Sequence, residues 1–241
     1  MIIWAGTSSK DVGMVVEHYP SVVIPQKKIE VQQVPGRNGD IVTSTGAFEN
    51  YTQTYDAFLD SKYIGGLEGA MPKIVDWLLG HDGYQRLEDT YFPGVYRMAY
   101  YTGGAEFVSM FNEYGEGKLT FNCAPEKYLK SGEWPITMTS GKKVFNQTAF
   151  PALPIIRLKG DGLSSGTLQF NDKTISISVV PDTMVIDTKR HKAYTEADGS
   201  VINRSNRITG NYEDLSLAKE TTVIWSGGIT AVEIIPRWWT I

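Results

Sequence analysis

The sequence predicts a mainly β protein in two parts, and three observations predict it. Runs of β-branched and aromatic residues alternate with polar ones along most of the 241 residues. Turn dipeptides punctuate the runs, among them Pro35-Gly36, Asn38-Gly39, Asn171-Asp172 and Gly227-Gly228. A single segment, 72–80, stands apart with helical periodicity. Apolar residues make up 41% and charged residues 21%, enough for a packed core and too little charge for a disordered chain.

Taken in order, 12–17 and 27–31 are β-branched or alternating and read as strands. Next comes Val34-Pro35-Gly36-Arg37-Asn38-Gly39-Asp40, two turn signals in succession. Pro fixes φ and Gly accepts φ > 0, so Pro35-Gly36 suits the centre of a type II turn. Asn38-Gly39 is a strong two-residue hairpin signal, because a type I′ turn needs φ > 0 at both central positions. With Ile29 and Val31 before it and Ile41 and Val42 after it, the segment predicts a sharp reversal between two strands. Arg37 and Asp40 supply opposite charges within it. Residues 51–59 alternate with large aromatics and predict another strand. Pro72 sits at a plausible first helical position, Gly80 at the end, and Ile74, Trp77 and Leu78 fall on one face, so 72–80 predicts the main helix. Gly65-Gly66-Leu67-Glu68-Gly69 before it reads as a loop. The strand 117–123 follows, ending at Ala124-Pro125.

From 129 to 154 the chain turns polar, with Gly132, Pro135, Gly141, Pro151 and Pro154. This stretch predicts a boundary, giving domains 1–133 and 134–241. Beyond it, 154–159, 166–170, 173–179, 183–187, 192–195, 221–226 and 231–235 read as short strands. Their spacing predicts a β-sandwich of about 100 residues.

Composition and motifs argue against several functions. A net charge of −4 is unlike a nucleic-acid-binding surface, which needs clustered Lys and Arg. No run approaches 18 apolar residues, and the N-terminus lacks the basic and apolar regions of a signal peptide, so the expectation is a chain made in a cytoplasm. Cys123 is the only cysteine and lies in an alternating run, so it predicts a packed strand residue. Gly162-Leu163-Ser164-Ser165-Gly166 matches a nucleophile-elbow pattern, but that motif needs a helix after it and Thr167 to Phe170 alternate like a strand. His18, His81 and His191 have no metal-ligand spacing. Glu88 and Asp89 are adjacent on a strand and so point to opposite faces. Pairing with Arg86 or Arg97 suits them better than an acid pair. The expectation is no enzyme, no metal and no cofactor. A β-rich, aromatic-rich chain without a site points to binding or assembly.

Several strings, in order along nearly the whole chain, resemble the distal tail (Dit) family of long-tailed siphovirus bacteriophages. They are Val34 to Asp40, Ile74-Val75-Asp76-Trp77-Leu78, Tyr84 to Asp89, Tyr96-Arg97-Met98-Ala99 and Phe121-Asn122-Cys123-Ala124-Pro125 with Tyr128. In the second half they continue with Met184-Val185-Ile186-Asp187, Ala193-Tyr194, Ile224-Trp225-Ser226-Gly227 and Val232 to Trp239. The turn at Leu217-Ala218-Lys219-Glu220 departs from the family pattern.

The resemblance implies an N-terminal tail-tube-like β-sandwich with one flanking helix and a C-terminal galectin-like β-sandwich. It implies a structural protein of the virion tail, six copies of which form a ring between tail tube and tail tip. Implied partners are other copies of the chain, the tail-tube protein, the tail-tip protein and receptor-binding or baseplate proteins. Genome DNA would cross the lumen without specific binding. Candidate residues for contacts between subunits or between elements are Pro35, Gly36, Arg37, Asn38, Gly39 and Asp40 in the turn, and Arg86, Asp89 and Arg97; the alternative for Arg37 and Asp40 is that they stabilise their own turn. The alternative role is carbohydrate or receptor binding by the C-terminal domain, with Trp225, Trp238, Trp239, Arg204, Asn206 and Arg207 as the available residues.

Overall fold

The computed structural model describes residues 1–60, 67–105, 107–110, 114–197 and 199–241. They form a mainly β protein that packs as two units, residues 1–127 and 128–240.

The first unit contains β1 (Ile2–Trp4), β2 (Thr7–Ser8), β3 (Met14–Val16), β4 (Lys27–Gln32), β5 (Ile41–Phe48) and β6 (Tyr51–Asp60). Helix α1 (Leu67–Leu79) follows, then β7 (Gln85–Asp89), β8 (Val95–Tyr100), β9 (Phe107–Met110) and β10, which begins at Tyr114 and runs to Leu129. The main sheet has the order β2-β1-β7-β8-β10-β6-β3, with β9 also on β10. Its backbone is the long antiparallel β6–β10 pair, in register from Asp60↔Tyr114 to Tyr51↔Cys123. Alternation sends Leu119, Phe121 and Cys123 of β10 inward beside Tyr55, Ala57 and Leu59 of β6. Lys118 and Thr120 face out, opposite Asp56 and Thr54. Helix α1 supplies Ala70, Ile74, Trp77 and Leu78 to the same core. The Trp77 indole N–H donates to Thr7 O at 3.2 Å.

Two sequence expectations need correcting here. The helix starts at Leu67, so Pro72 lies inside it and not at its first position, and Leu67 to Gly69 are helical. Pro72 forfeits one backbone hydrogen bond. Its ring faces solvent, and the burial of Ala70 and Ile74 on either side outweighs the local signal. Gly65 and Gly66 lie outside the described residues. Strand β10 also runs through Pro125 instead of ending there. Its pairing with β6 stops at Cys123, so β6 asks no N–H of residue 125.

The Cys123 thiol is fully buried, and burial pushes its pKa up to about 12. Reaction with alkylating and disulfide reagents needs the thiolate. Native protein at pH 8 is therefore expected to leave Cys123 unmodified for hours and to react fully within minutes once denatured. Full labelling of the native protein by mass spectrometry would refute this burial. The same shift makes the group's contribution to stability fall as pH rises from the ordinary value of 9.0 toward 12.

The second unit contains β11 (Ile136–Thr137), β12 (Lys142–Phe145), β13 (Ile155–Gly160), β14 (Gly166–Phe170), β15 (Lys173–Ile177) and β16 (Thr183–Asp187). It continues with β17 (Lys192–Ala197), β18 (Ser200–Asn203), β19 (Ile208–Thr209), β20 (Glu220–Gly227), β21 (Ile229–Ile235) and β22 (Trp239–Thr240). One sheet has the order β11-β21-β13-β16-β17-β18, the other β12-β20-β14-β15-β19. Ile156, Leu158, Met184, Ile186, Val232 and Ile234 from the first meet Leu168, Phe170, Ile175, Ile177 and Val223 from the second in one core. This is a β-sandwich. Asn171 takes φ 54 in the tight β14–β15 turn, where its side chain accepts from Thr222 N at 2.8 Å and donates to Glu220 O. Gly227 takes φ 70 where a Cβ would lie 2.2 Å from Ser165 O, so the β20–β21 turn needs glycine. The Gly162 to Gly166 motif is a loop joining β13 to β14. The Asp161 carboxylate accepts from Leu163 N and Ser164 N, and these bonds with the Ser164 hydroxyl bring its pKa down to about 2.

Candidate assembly surface

β4 and β5 form a separate two-stranded ribbon in the first unit. Every residue of the ribbon is exposed except Phe48, which is half-buried. Register places Val31 opposite Val42, Ile29 opposite Ser44 and Glu30 opposite Thr43. Residues directly opposite share a face, so one face carries Ile29, Val31 and Val42 and the other carries Glu30, Gln32, Ile41 and Thr43. The ribbon is therefore amphipathic, yet Ile29, Val31 and Val42 are 52%, 54% and 59% exposed. A lone two-stranded ribbon is marginal in water. Its apolar face is left uncovered among the described residues.

The root of the ribbon is anchored. Glu49 N donates to Gln26 O at 2.8 Å and Lys27 pairs with Phe48. The segment leading in is strapped to the sheet by the Gln53 amide on Ser21 O (3.2 Å) and the Lys127 ammonium on Val23 O (2.9 Å). Tyr19, Val22 and Ile24 of that segment are exposed. Gly46, at φ 78, sits in a bulge where the register shifts between Lys27 and Ile29.

At the tip the Pro35-Gly36 turn forms as expected, with Arg37 N donating to Val34 O at 3.2 Å and Gly36 at φ 80. The second turn differs from expectation. Gly39 has φ 81, but Asn38 stays at negative φ, so no type I′ turn forms. The first pair after the tip is Gln32↔Ile41, so residues 33–40 make one long loop. Preceded by a completed turn, Asn38-Gly39 does not have to reverse the chain alone. Arg37 and Asp40 are both exposed, and no hydrogen bond or ion pair joins them among the described residues.

The other candidates sit elsewhere and divide between two faces of the main sheet. Arg86 pairs with Glu88 on the outer face and lies 3.8 Å from the centroid of the Tyr96 ring. Asp89 and Arg97 face the core and are 4% and 3% exposed. The Arg97 guanidinium donates from Nη1 to Asp89 Oδ2 at 2.8 Å and from Nε to the Tyr51 hydroxyl at 3.1 Å. The Tyr55 hydroxyl donates to Asp89 Oδ2 at 3.1 Å. Asp89 Oδ1 accepts from Tyr91 N (3.0 Å) and Phe92 N (2.7 Å), holding the β7–β8 turn. Burial works against the Arg97 cation, and the hydroxyl groups of Tyr55 and Tyr51 with Asp89 outweigh it and raise its pKa. Burial likewise raises Tyr51 and Tyr55. The bonds shown for Asp89 and Arg97 are thus made within their own chain. The apolar ribbon face and the two tyrosines were not among the sequence candidates. Alternation at 27–31 does signal a covered face, but not which chain covers it.

The tryptophans of the second unit differ in exposure, and Trp134 is the most exposed of them. Trp238 is buried. Trp239 stacks on Phe150 at 4.5 Å and donates to Pro151 O. Trp225 lies half-buried on β20 against the core. The Arg207 guanidinium donates to Val179 O.

No family model matches the chain, and no curated protein matches it. Solved structures do. The Dit protein of phage SPP1, a hub of the adsorption apparatus in phages infecting Gram-positive bacteria, aligns over 97% of this chain and 97% of its own. Its TM-score is 0.72 and its identity 15%. A chain of the phage P2 baseplate in its activated conformation with calcium aligns over 92% of this chain and 89% of its own (TM-score 0.56, 12% identity). The strontium form gives 92% and 90% (TM-score 0.53, 11% identity). At these identities the likeness establishes the fold: that of a phage hub protein over nearly the entire chain.

Proposed function

We propose that this chain is the distal tail hub of a long-tailed bacteriophage, a structural protein that closes into a six-copy ring joining the tail tube to the tail tip and adhesion apparatus. The observation that carries the reading is the amphipathic β4–β5 ribbon, whose apolar face finds no cover among the described residues. The end-to-end match to a hub fold supports the same reading. In it, the first unit builds the ring in the manner of a tail-tube protein and the second is a galectin-like sandwich. The partners are other copies of the chain, the tail-tube and tail-tip proteins and receptor-binding or baseplate proteins. The protein works by assembly and not by catalysis, and the DNA crossing its lumen is not bound specifically.

Light scattering with negative-stain electron microscopy tests this. Purified protein is expected to form rings of six times the protomer mass, and antibody against it to label the distal end of the virion tail. A protein that stays monomeric at every concentration and labels no tail overturns the proposal.

A further inference from the structure

The loop at the tip of the ribbon carries the only Asn-Gly dipeptide in the chain, Asn38-Gly39. Both residues are exposed, and the type I′ turn that would lock them does not form. Among the described residues no hydrogen bond engages the Asn38 amide or the Gly39 N–H. Elsewhere the chain ties its asparagines down. The side chains of Asn50, Asn122, Asn146, Asn171, Asn203 and Asn211 are all held in hydrogen bonds. At the tip, an asparagine amide and the backbone nitrogen that follows it are both without a partner, and short polar side chains readily turn onto their own backbone in that situation.

We propose that Asn38 is a site of self-catalysed covalent modification. The Gly39 backbone nitrogen attacks Asn38 Cγ and gives up its proton. A bond forms between that nitrogen and Cγ, the bond from Cγ to the amide nitrogen breaks, and ammonia leaves a five-membered imide behind. Water then opens the imide at either carbonyl. One opening leaves aspartate at position 38, and the other leaves an isoaspartyl link in which the backbone runs through the former side chain. One water is consumed and one ammonia released, with no change of oxidation state. Gly39 suits the attack because it has no Cβ to screen its nitrogen. The space around it is also open: a Cβ built there would meet no atom within 4 Å. The Pro35-Gly36 turn has already reversed the chain, so nothing holds 38–39 to a fixed geometry. The product changes the charge of the tip. Arg37 is the only cation and Asp40 the only acid in 33–40, so the reaction leaves the cation between two carboxylates. A single chain suffices for the reaction, which is independent of assembly.

Peptide mapping of the full-length protein tests the site. Purified chain is held at neutral and at mildly alkaline pH, quenched in acid and digested with an acid protease. Mass spectrometry is expected to show the amide of residue 38 replaced by a carboxyl, as aspartyl and isoaspartyl peptides, faster at the higher pH because the attacking nitrogen must shed its proton. Conversion is expected to run at least about tenfold faster than at Asn206, a barrier difference of about 1.4 kcal/mol. Asn206 is exposed and without a side-chain bond too, but Arg207 follows it and the Arg207 N–H is engaged by Arg204 O. Native and urea-unfolded chain are expected to convert Asn38 at rates within about threefold of each other, since the loop does not hold the pair. Isoelectric focusing is expected to show an acidic species that grows with time in the parent and is lost in Asn38→Gln, whose longer side chain would have to close a larger ring. An Asn38 that stays intact in the native protein while the unfolded chain converts, or an acidic species that grows equally in Asn38→Gln, overturns the proposal and leaves the hub reading standing.

Discussion

Asp89→Ala is expected to destabilise the first unit by about 3–5 kcal/mol, the usual cost of removing one partner of a buried ion pair. The reason is asymmetric satisfaction. Without Asp89 the Arg97 guanidinium stays buried with the Tyr51 hydroxyl as its one remaining acceptor among those bonds, and the Tyr55 hydroxyl loses its acceptor. Tyr91 N and Phe92 N lose theirs as well, so the β7–β8 turn loosens with the pair. Arg97→Met removes the other partner at lower cost, about 2–3 kcal/mol, because donors from Tyr55, Tyr91 and Phe92 still hold the Asp89 carboxylate. Urea titration followed by hydrogen exchange separates the two units, whose transitions need not coincide. Amides of β6, β7 and β10 are expected to lose protection in both variants, more in Asp89→Ala, while those of β13 and β16 keep theirs. A loss under 1 kcal/mol for Asp89→Ala, or the reverse order, would contradict this account of the network.

Much of that network was legible in the sequence, and the missing part has a physical reason. Adjacent strand residues point to opposite faces, so Glu88 and Asp89 had to part, and Arg86 and Arg97 were the nearest cations; the structure pairs Arg86 with Glu88 and Arg97 with Asp89. What alternation does not reveal is which of the two faces is the core, because each carries one acid and one base. That choice is made by Leu87 and Ala99, which share the inward face with Asp89 and Arg97, and by the tyrosines of β6, far away in sequence. The sandwich of the second unit was readable because its strands alternate and several of its turns bear Asn or Gly, among them Asn171 and Gly227. The helix start was misread because Pro72 is a strong local signal, while the force extending α1 back to Leu67 is packing on a sheet whose strands lie far off in the chain. The ribbon shows the limit most plainly. Ile29, Val31 and Val42 have the pattern of a covered face, and the pattern is silent about whether the cover is intramolecular.

That silence makes the ribbon the place where a substitution separates folding from assembly. Val31→Asp is expected to abolish ring formation while leaving the thermal stability of both units within about 0.5 kcal/mol of the parent, since surface changes away from core features rarely cost more. Burying a valine side chain contributes about 1.5 kcal/mol or more, and a carboxylate carried into the same apolar seat adds a desolvation penalty on top. A combined loss of about 3 kcal/mol per contact weakens each by roughly two orders of magnitude. In a closed ring every copy makes that contact twice, once through its ribbon and once through its receiving surface, so the deficit is multiplied around the ring. Arg37→Glu at the tip acts through a different force. Arg37 has no partner in its own turn, so reversal spares the Val34 to Arg37 hydrogen bond and the fold. It is expected to weaken assembly less than Val31→Asp, and in a salt-dependent way, because exposed charges are screened within about 10 Å at 0.1 M ionic strength. Analytical ultracentrifugation of both variants at low and high salt distinguishes the two contributions. A Val31→Asp chain that still forms rings would mean that the apolar face is not what holds the copies together, and an Arg37→Glu chain indistinguishable from the parent at low salt would confine the tip's charges to solvent.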